Sequence, residues 1–546
     1  MKTFLYFCLL FILLTGCNSF SATGDRPTEP PQIQGETFWW NETIFYEIFV
    51  RSFYDSDGDG IGDLQGIITK LDYLNDGDDE NQEDLGINGI WLMPICESPS
   101  YHGYDVTDYQ SIASDYGTME DFLLLLAECQ QRGIKVICDF VMNHSSSEHP
   151  WFMAGADPQS EYHDWYRWSS SHPGFTGPWG QPVWHLHQNG LYYYGLFWSG
   201  MPDLNYENPS LKGEMLNLTH YWLAEIGLDG FRCDAVKYIF EDGNILENTA
   251  ETFQFWQEFH QYYKSVKPEA MAVGEAWDDT AIIVQYVGDK FDFCFEFELA
   301  ADILNAVNTV TPSLIRNKMS AIRDLYPYHQ YGTFLTNHDQ NRVYNLFNED
   351  LDKTELAGAL YLTLPGVPFI YYGEEIAMMG TKPDPDIRRP MQWNSSTNAG
   401  FTTGTPWHSL NSNYDQFNIE TMQQDPQSIW HLYRKLIHLR KQETALTAGT
   451  YQALGSSTAN VLVYLREYQD EGIIVIANFA GTSYTGVSIH ADSTNLSPGT
   501  RDVTSLLENE PAEQITIDEN GKINAWIPLN SLAARSLYVL KLHAIP

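Results

Sequence analysis

Four apolar runs in this chain each close on acids or histidines, and that repetition constrains the fold more than any other feature. The endings read Asp139-Phe140-Val141-Met142-Asn143-His144, Gly230-Phe231-Arg232-Cys233-Asp234, Val273-Gly274-Glu275-Ala276-Trp277 and Phe334-Leu335-Thr336-Asn337-His338-Asp339. A strand that ends in ionisable residues delivers them to one edge of a sheet, and parallel α/β barrels gather their chemistry at the C-terminal ends of their strands. A single such ending says little, because an Asp there often only caps the next helix. Four in chain order predict one mouth that collects three carboxylates: Asp234, Glu275 and Asp339.

The runs between them supply the rest of a barrel. Residues 44–50 are rich in β-branched and aromatic side chains and read as the first strand. Residues 89–94, 135–141, 291–297 and 366–372 read as the second, third, sixth and eighth, with the Gly230, Val273 and Phe334 runs as fourth, fifth and seventh. Eight strands agree with a (β/α)8 barrel, and 546 residues accommodate such a barrel plus a smaller module. The stretch after His144 is too long for a plain βα loop. It carries many aromatic residues, among them Trp151, Trp165, Trp168, Trp179, Trp184 and Trp198. More than half of its aromatics are expected to form a core of its own, the rest to be stacking platforms along a cleft. From Gly449 onward, short runs such as 461–465, 473–476 and 537–540 are separated by Gly, Asn, Asp and Ser, which predicts an antiparallel β-module.

Charge and cysteines narrow the function classes. With 30 basic against 72 acidic side chains, the net charge of −42 argues against nucleic-acid binding, which needs a basic footprint. The acidity serves solubility or suits a saline medium, where screening mutes self-repulsion. An apolar run from Phe4 to Leu14 is too short to span a bilayer and reads as a signal segment. Its ending, Leu14-Thr15-Gly16-Cys17, resembles a bacterial lipobox, which implies an exported chain anchored to the membrane through lipid on Cys17. Residues 18–35 then form a flexible tether. The five cysteines beyond Cys17 are odd in number and fall in core elements, so they are expected to be free thiols.

Taken together, the four endings resemble the ordered motifs of the α-amylase family of retaining glycoside hydrolases, glycoside hydrolase family 13. The resemblance covers roughly residues 40 to 546 and implies a catalytic (β/α)8 barrel (36–144 and 206–447), an inserted domain B after strand three (145–205) and a C-terminal antiparallel β-sandwich domain (448–546). It implies that Asp234 is the nucleophile, kept ionised by Arg232, and that Glu275 is the general acid and base, its proton retained beside Val273 and Trp277. Asp339, with His338 and His144, would bind hydroxyls of the distorted sugar; Asp139 would brace the strand end. His102 and Tyr104, in Tyr101-His102-Gly103-Tyr104, would line the sugar site, and Lys237 would bind substrate. Retention requires the Asp234 and Glu275 carboxyls to lie about 5–5.5 Å apart.

The loop Asp55-Ser56-Asp57-Gly58-Asp59-Gly60-Ile61-Gly62-Asp63 alternates carboxylates with tight-turn glycines, a pattern suited to a hard cation. The resemblance implies structural Ca2+ there, on Asp55, Asp57, Asp59, Asp63 and the Ile61 carbonyl. A second calcium site near Asn143 is put in doubt because Tyr238 stands where relatives carry a histidine. The expected function is a monomeric α-amylase cleaving internal α-1,4 bonds of starch, glycogen and maltooligosaccharides, since Tyr101 replaces the acid that closes the pocket in exo-acting relatives. Met201-Pro202-Asp203-Leu204-Asn205 and Arg388-Arg389-Pro390-Met391-Gln392-Trp393 leave room for a neopullulanase, oligo-1,6-glucosidase or transglycosylase. A non-catalytic glycan-binding lipoprotein would have no need of all three carboxylates.

Overall fold

The computed structural model describes residues 31–78, 81–507 and 510–545. The signal segment, Cys17 and most of the expected tether therefore lie outside the described residues. The end of that tether is docked: Gln32 Oε1 accepts the Tyr451 amide at 3.1 Å, and the Gln32 carbonyl accepts Asn495 Nδ2 at 3.2 Å.

Eight parallel strands form the barrel: β1 (Phe45–Ile48), β2 (Gly89–Leu92), β3 (Lys135–Phe140), β4 (Gly230–Cys233), β5 (Met271–Gly274), β6 (Phe293–Cys294), β7 (Gly332–Thr333) and β8 (Val367–Tyr371). They pair in the order β6-β5-β4-β3-β2-β1-β8-β7. A single parallel bridge, Phe295 to Gly332, joins the two ends. β6 and β7 are shorter than the apolar runs suggest. Phe297 already begins a helix, and residues 334–339 leave the sheet to line the mouth.

Alternation along the strands sorts side chains into two cores. Phe45, Trp91, Ile137, Met271, Val273, Phe293 and Phe369 point inward and fill the barrel, with Phe45 stacked on Phe369 at 4.7 Å. Their neighbours Tyr46, Ile90, Val136, Phe231, Ala272 and Ile370 point outward into the helical layer. Cys233 belongs to that outer layer and not to the mouth, and all five described cysteines are free. The inward rows continue upward as Glu47 above Phe45, Asp139 above Ile137, and Glu275 above Val273. The polar mouth is thus the top layer of the same side-chain stack that packs the barrel.

Two further units pack on this body. Between β3 and β4, a three-stranded sheet of Trp168–Ser169, Trp184–Leu186 and Tyr192–Tyr194 carries its own aromatic cluster, in which Phe152 stacks on Trp168 at 5.4 Å. After the last barrel helix, Ile429–Gln442, comes an antiparallel nine-stranded sheet. Its central strands are buried on both faces, which explains their continuous apolar runs. Val461, Val463, Leu465, Ile474 and Ile476 face the rest of the module. Leu462, Tyr464, Ile473, Val475 and Ala477 face the barrel. At that joint two buried arginines bind the connection entering β8. Arg440 donates to the carbonyls of Leu362, Leu364 and Gly366 at 2.6–2.8 Å, and Arg466 to that of Thr363 at 2.8 Å and that of Gly449 at 3.1 Å. Buried carbonyls left unmatched are costly, so Arg440 fixes the last barrel helix to the entry of β8, and Arg466 holds the module to the barrel through the Thr363 carbonyl.

Candidate active site

A cavity of about 740 Å³ opens at the C-terminal ends of the strands. Its lining includes His102, Tyr104, His144, Asp234, Lys237, Glu275 and Asp339. Of the residues singled out at the mouth, Arg232 and His338 stand directly behind that wall, both fully buried.

Arg232 is the hub. It is an inward residue of β4, seated 5.2 Å from the centre of the Trp91 ring at the top of the apolar stack. Its Nη1 donates to Asp139 Oδ1 and to Asp234 Oδ1, each at 2.7 Å, and Nη2 lies 2.9 Å from Glu275 Oε2 in an ion pair not aligned as a hydrogen bond. Asp139 is fully enclosed and braces this cation. Glu275 Oε2 also accepts the Ala235 amide at 3.0 Å. One guanidinium therefore holds the two central carboxylates in register.

Arg232 favours the Asp234 carboxylate, in the direction expected, but burial outweighs it and pushes the Asp234 carboxyl up to about 6. Burial, opposed by Arg232 and reinforced by the charges of Asp234 and Asp339, takes Glu275 up to about 7. The direction for Glu275 is the expected one, but its causes are enclosure and neighbouring carboxylates. Val273 packs inside the barrel, and Trp277 lies half-exposed on Phe297. Two coupled carboxyls held at different points on the pH scale form an acid–base pair.

The opposite wall is built around His338. Its Nδ1 meets Glu47 Oε1 at 2.5 Å, while Nε2 faces the Tyr104 hydroxyl at 2.7 Å and Asp339 Oδ2 at 3.2 Å. Burial disfavours the imidazolium, yet Asp339 and Glu47 outweigh it and raise His338 to about 9. Asp339 is half-buried, and although its partial desolvation favours the neutral form, His338 and Arg388 hold its carboxyl well below the usual range. Arg388 Nη2 donates to Asp339 Oδ1 at 2.9 Å. Tyr104 also donates to Asp139 Oδ2 at 3.0 Å, tying this wall to the Arg232 hub.

The remaining expected residues are placed by local contacts. The His102 ring lies over Tyr104, and its Nδ1 accepts the Tyr104 amide at 3.1 Å. His144 Nε2 faces the Tyr104 carbonyl at 3.1 Å, and burial drives its pKa down to about 3. Lys237 is held between Glu247 at 2.8 Å and Asp278 at 2.9 Å. Asn143 Nδ2 donates to the Tyr238 carbonyl at 2.6 Å, and its Oδ1 faces His144 Nδ1 at 3.0 Å. Sequence reasoning missed Glu47, Glu247, Asp278 and Arg388 as wall residues. Arg388 lay in a loop already singled out, but no spacing in the sequence links it to Asp339.

In the acidic loop, carboxylate oxygens of Asp55, Asp57 and Asp63 lie within 4.8 Å of one another. Asp59 is not in this group, and its Oδ1 instead accepts the Ile61 amide at 2.8 Å. The loop closes tightly because Gly60 adopts φ +99°, and a Cβ there would come within 1.9 Å of the Thr405 carbonyl oxygen. Burial raises the Asp59 carboxyl, and the charges of Asp57 and Asp55 add to that. Convergent hard oxygens under mutual repulsion fit a divalent cation.

The chain is similar to known proteins along most of its length. A family model described as the alpha amylase catalytic domain matches residues 47–449. Alpha-amylase 3 of Dictyoglomus thermophilum is 42% identical over 447 residues, covering 81% of this chain and 85% of its own. An oligo-1,6-glucosidase of Parageobacillus thermoglucosidasius is 32% identical over 526 residues, covering 82% and 91%. The crystal structure of the alpha-amylase from H. orenii matches with a TM-score of 0.80 at 40% identity, covering 92% of this chain and 99% of that one.

The Glu47–His338 pair makes a measurable demand on stability. His338 is raised from 6.5 to about 9 in the folded chain, so its contribution is fully present below about pH 6.5 and is lost as pH rises through about 9. The Glu47→Gln variant should be less stable than the parent by roughly 1–3 kcal/mol near pH 6.5, and the difference should shrink towards pH 9.5. Urea midpoints at both pH values test this; a difference independent of pH would show that the pair does not hold the proton.

Proposed function

The chain belongs to the alpha-amylase family of glycoside hydrolases, and from that premise we propose that it is a retaining endo-acting α-amylase cleaving internal α-1,4 bonds of starch, glycogen and maltooligosaccharides. The observation that carries this reading is the pairing of Asp234 and Glu275 on one buried guanidinium inside a single cavity.

Asp234, ionised above about pH 6, attacks the anomeric carbon while Glu275 delivers its proton to the departing glycosidic oxygen. The product is a glycosyl ester on Asp234 and a free sugar hydroxyl. Glu275, now a carboxylate, takes a proton from water, whose oxygen attacks the same carbon and releases Asp234 with the configuration retained. Arg232 keeps the nucleophile anionic against burial and fixes its distance from Glu275. Asp339 is held ionised by His338 and Arg388, ready to accept bonds from ring hydroxyls that strengthen as the sugar flattens. Tyr104 and His102 offer ring faces to the same sugar.

Tyr101, in the place where an acid is expected in exo-acting relatives, supports endo action. A second reading, an oligo-1,6-glucosidase, is favoured by the relative of that name and by the Met201–Asn205 segment. Products from end-blocked maltoheptaose, pullulan and isomaltose separate the two. Internal cleavage of the blocked chain is expected; glucose from isomaltose with the blocked chain intact would replace the first reading by the second.

The two carboxyls also set a pH window. kcat/KM should rise as Asp234 ionises through about 6 and fall as Glu275 loses its proton above about 7, giving a narrow bell. A plateau extending well above pH 8 would contradict this pairing of roles.

For the acidic loop we propose Ca2+ held by Asp55, Asp57 and Asp63, where it supplies the positive charge that three converging carboxylates lack. Added Ca2+ should raise the melting temperature of chelator-treated protein, and Asp57→Asn should remove most of that rise. An equal rise in parent and variant would place the ion elsewhere.

A further inference from the structure

Indole side chains stand at the rim of the cavity without a part in the bond-breaking chemistry. Trp179 is 62% exposed, and Trp277 is 48% exposed. Solvent-exposed indoles lining a cavity are unusual unless a ligand covers them, because each leaves a large apolar face in water.

We propose that Trp179 is the platform for the sugar on the leaving-group side of the scissile bond, an assignment that rests on the hydrolase reading above. The side follows from the position of Glu275, the group that protonates the leaving oxygen. Its carboxylate is held by the Ala235 amide at 3.0 Å, and three residues further on Tyr238 lines the same cavity. Trp179 meets Tyr238 edge-on at 6.1 Å, and Phe197, stacked beneath Trp179 at 5.9 Å, meets it at 6.0 Å. Asp339, Arg388 and His102, which hold the other sugar, belong to a different wall.

Trp179 is presented on a built turn. The Gly180 amide donates to the Gly177 carbonyl at 2.9 Å, and the Gly177 amide to that of Gln181 at 2.8 Å. Pro178 occupies the second turn position, where its fixed φ is favourable, and Gly180 takes φ +78°. The Gln181 side chain then ties the turn down from within: its Oε1 accepts the Trp179 amide at 2.9 Å, and its Nε2 donates to the Leu196 carbonyl at 3.0 Å. One indole face rests on Phe197 and the other is left open. A glucose ring carries an apolar C–H face that matches it, and a platform already ordered loses little entropy on binding. Trp277, stacked on Phe297 at 4.7 Å with an 8° tilt, offers a second ordered face on the barrel side.

The test compares maltoheptaose, whose leaving group is a sugar, with α-maltosyl fluoride, whose leaving fluoride occupies no sugar site. In Trp179→Ala, kcat/KM on maltoheptaose relative to that on the fluoride should fall about five- to tenfold, mainly through KM. Trp179→Phe, which keeps a flat ring, should hold that ratio within about twofold of the parent. An unchanged ratio in Trp179→Ala, with the parent active on the fluoride, would overturn the platform alone. A parent inert on the fluoride would overturn the hydrolase reading and the platform with it.

Discussion

Everything at the mouth of this barrel depends on the burial of one guanidinium. Arg232 has no exposed surface, and a cation in that position is tolerable only if carboxylates surround it. Three do, and they carry different duties. Asp139 is sealed in and serves as the permanent counter-charge, which leaves Asp234 and Glu275 partly open to the cavity on the other sides of the same group. Arginine suits the position where lysine would not, because a planar fork fixes the directions of several oxygens at once. The bare Nη2 that approaches Glu275 without a well-aligned bond is informative as well. Through that pair Arg232 attracts the Glu275 carboxylate by charge alone, and burial with the neighbouring carboxylates outweighs it.

The two walls are electrostatic opposites that share one connection. Around Arg232, enclosure outweighs the attraction of the cation, and the carboxyls of Asp139, Asp234 and Glu275 are raised. Around His338 the balance inverts, because Glu47 and Asp339 together outweigh the desolvation of one imidazole, and Asp339 is held ionised. Tyr104 touches both systems through its hydroxyl. Carboxylates within one cavity are thereby divided into a pair that can exchange protons and a third that keeps its charge.

The packing beneath explains why this arrangement can be rigid. The inward rows of β1, β3 and β5 run from aromatic and aliphatic residues straight into Glu47, Asp139 and Glu275, so these polar groups stand on a close-packed apolar stack. The inserted domain, by contrast, rests on aromatic packing of its own and contributes the braced turn that carries Trp179. The C-terminal sheet sits on the barrel flank, held by Arg466 against the Thr363 carbonyl, away from the chemistry.

Much of this was legible in the chain because period-two alternation and strand endings are local properties. The eight strands, the inserted domain, the C-terminal β-module and the three carboxylates follow from runs of adjacent residues, as does the acidic loop. What the sequence could not disclose are partnerships between distant positions. Arg388 with Asp339, Glu47 with His338 and Trp179 over Tyr238 join residues 49, 291 and 59 positions apart, and only closure of the barrel brings them together. The same holds for the charge state of each carboxyl. Residue identity decides that a group can ionise, but burial and neighbours decide whether it does, and both are properties of the folded chain alone.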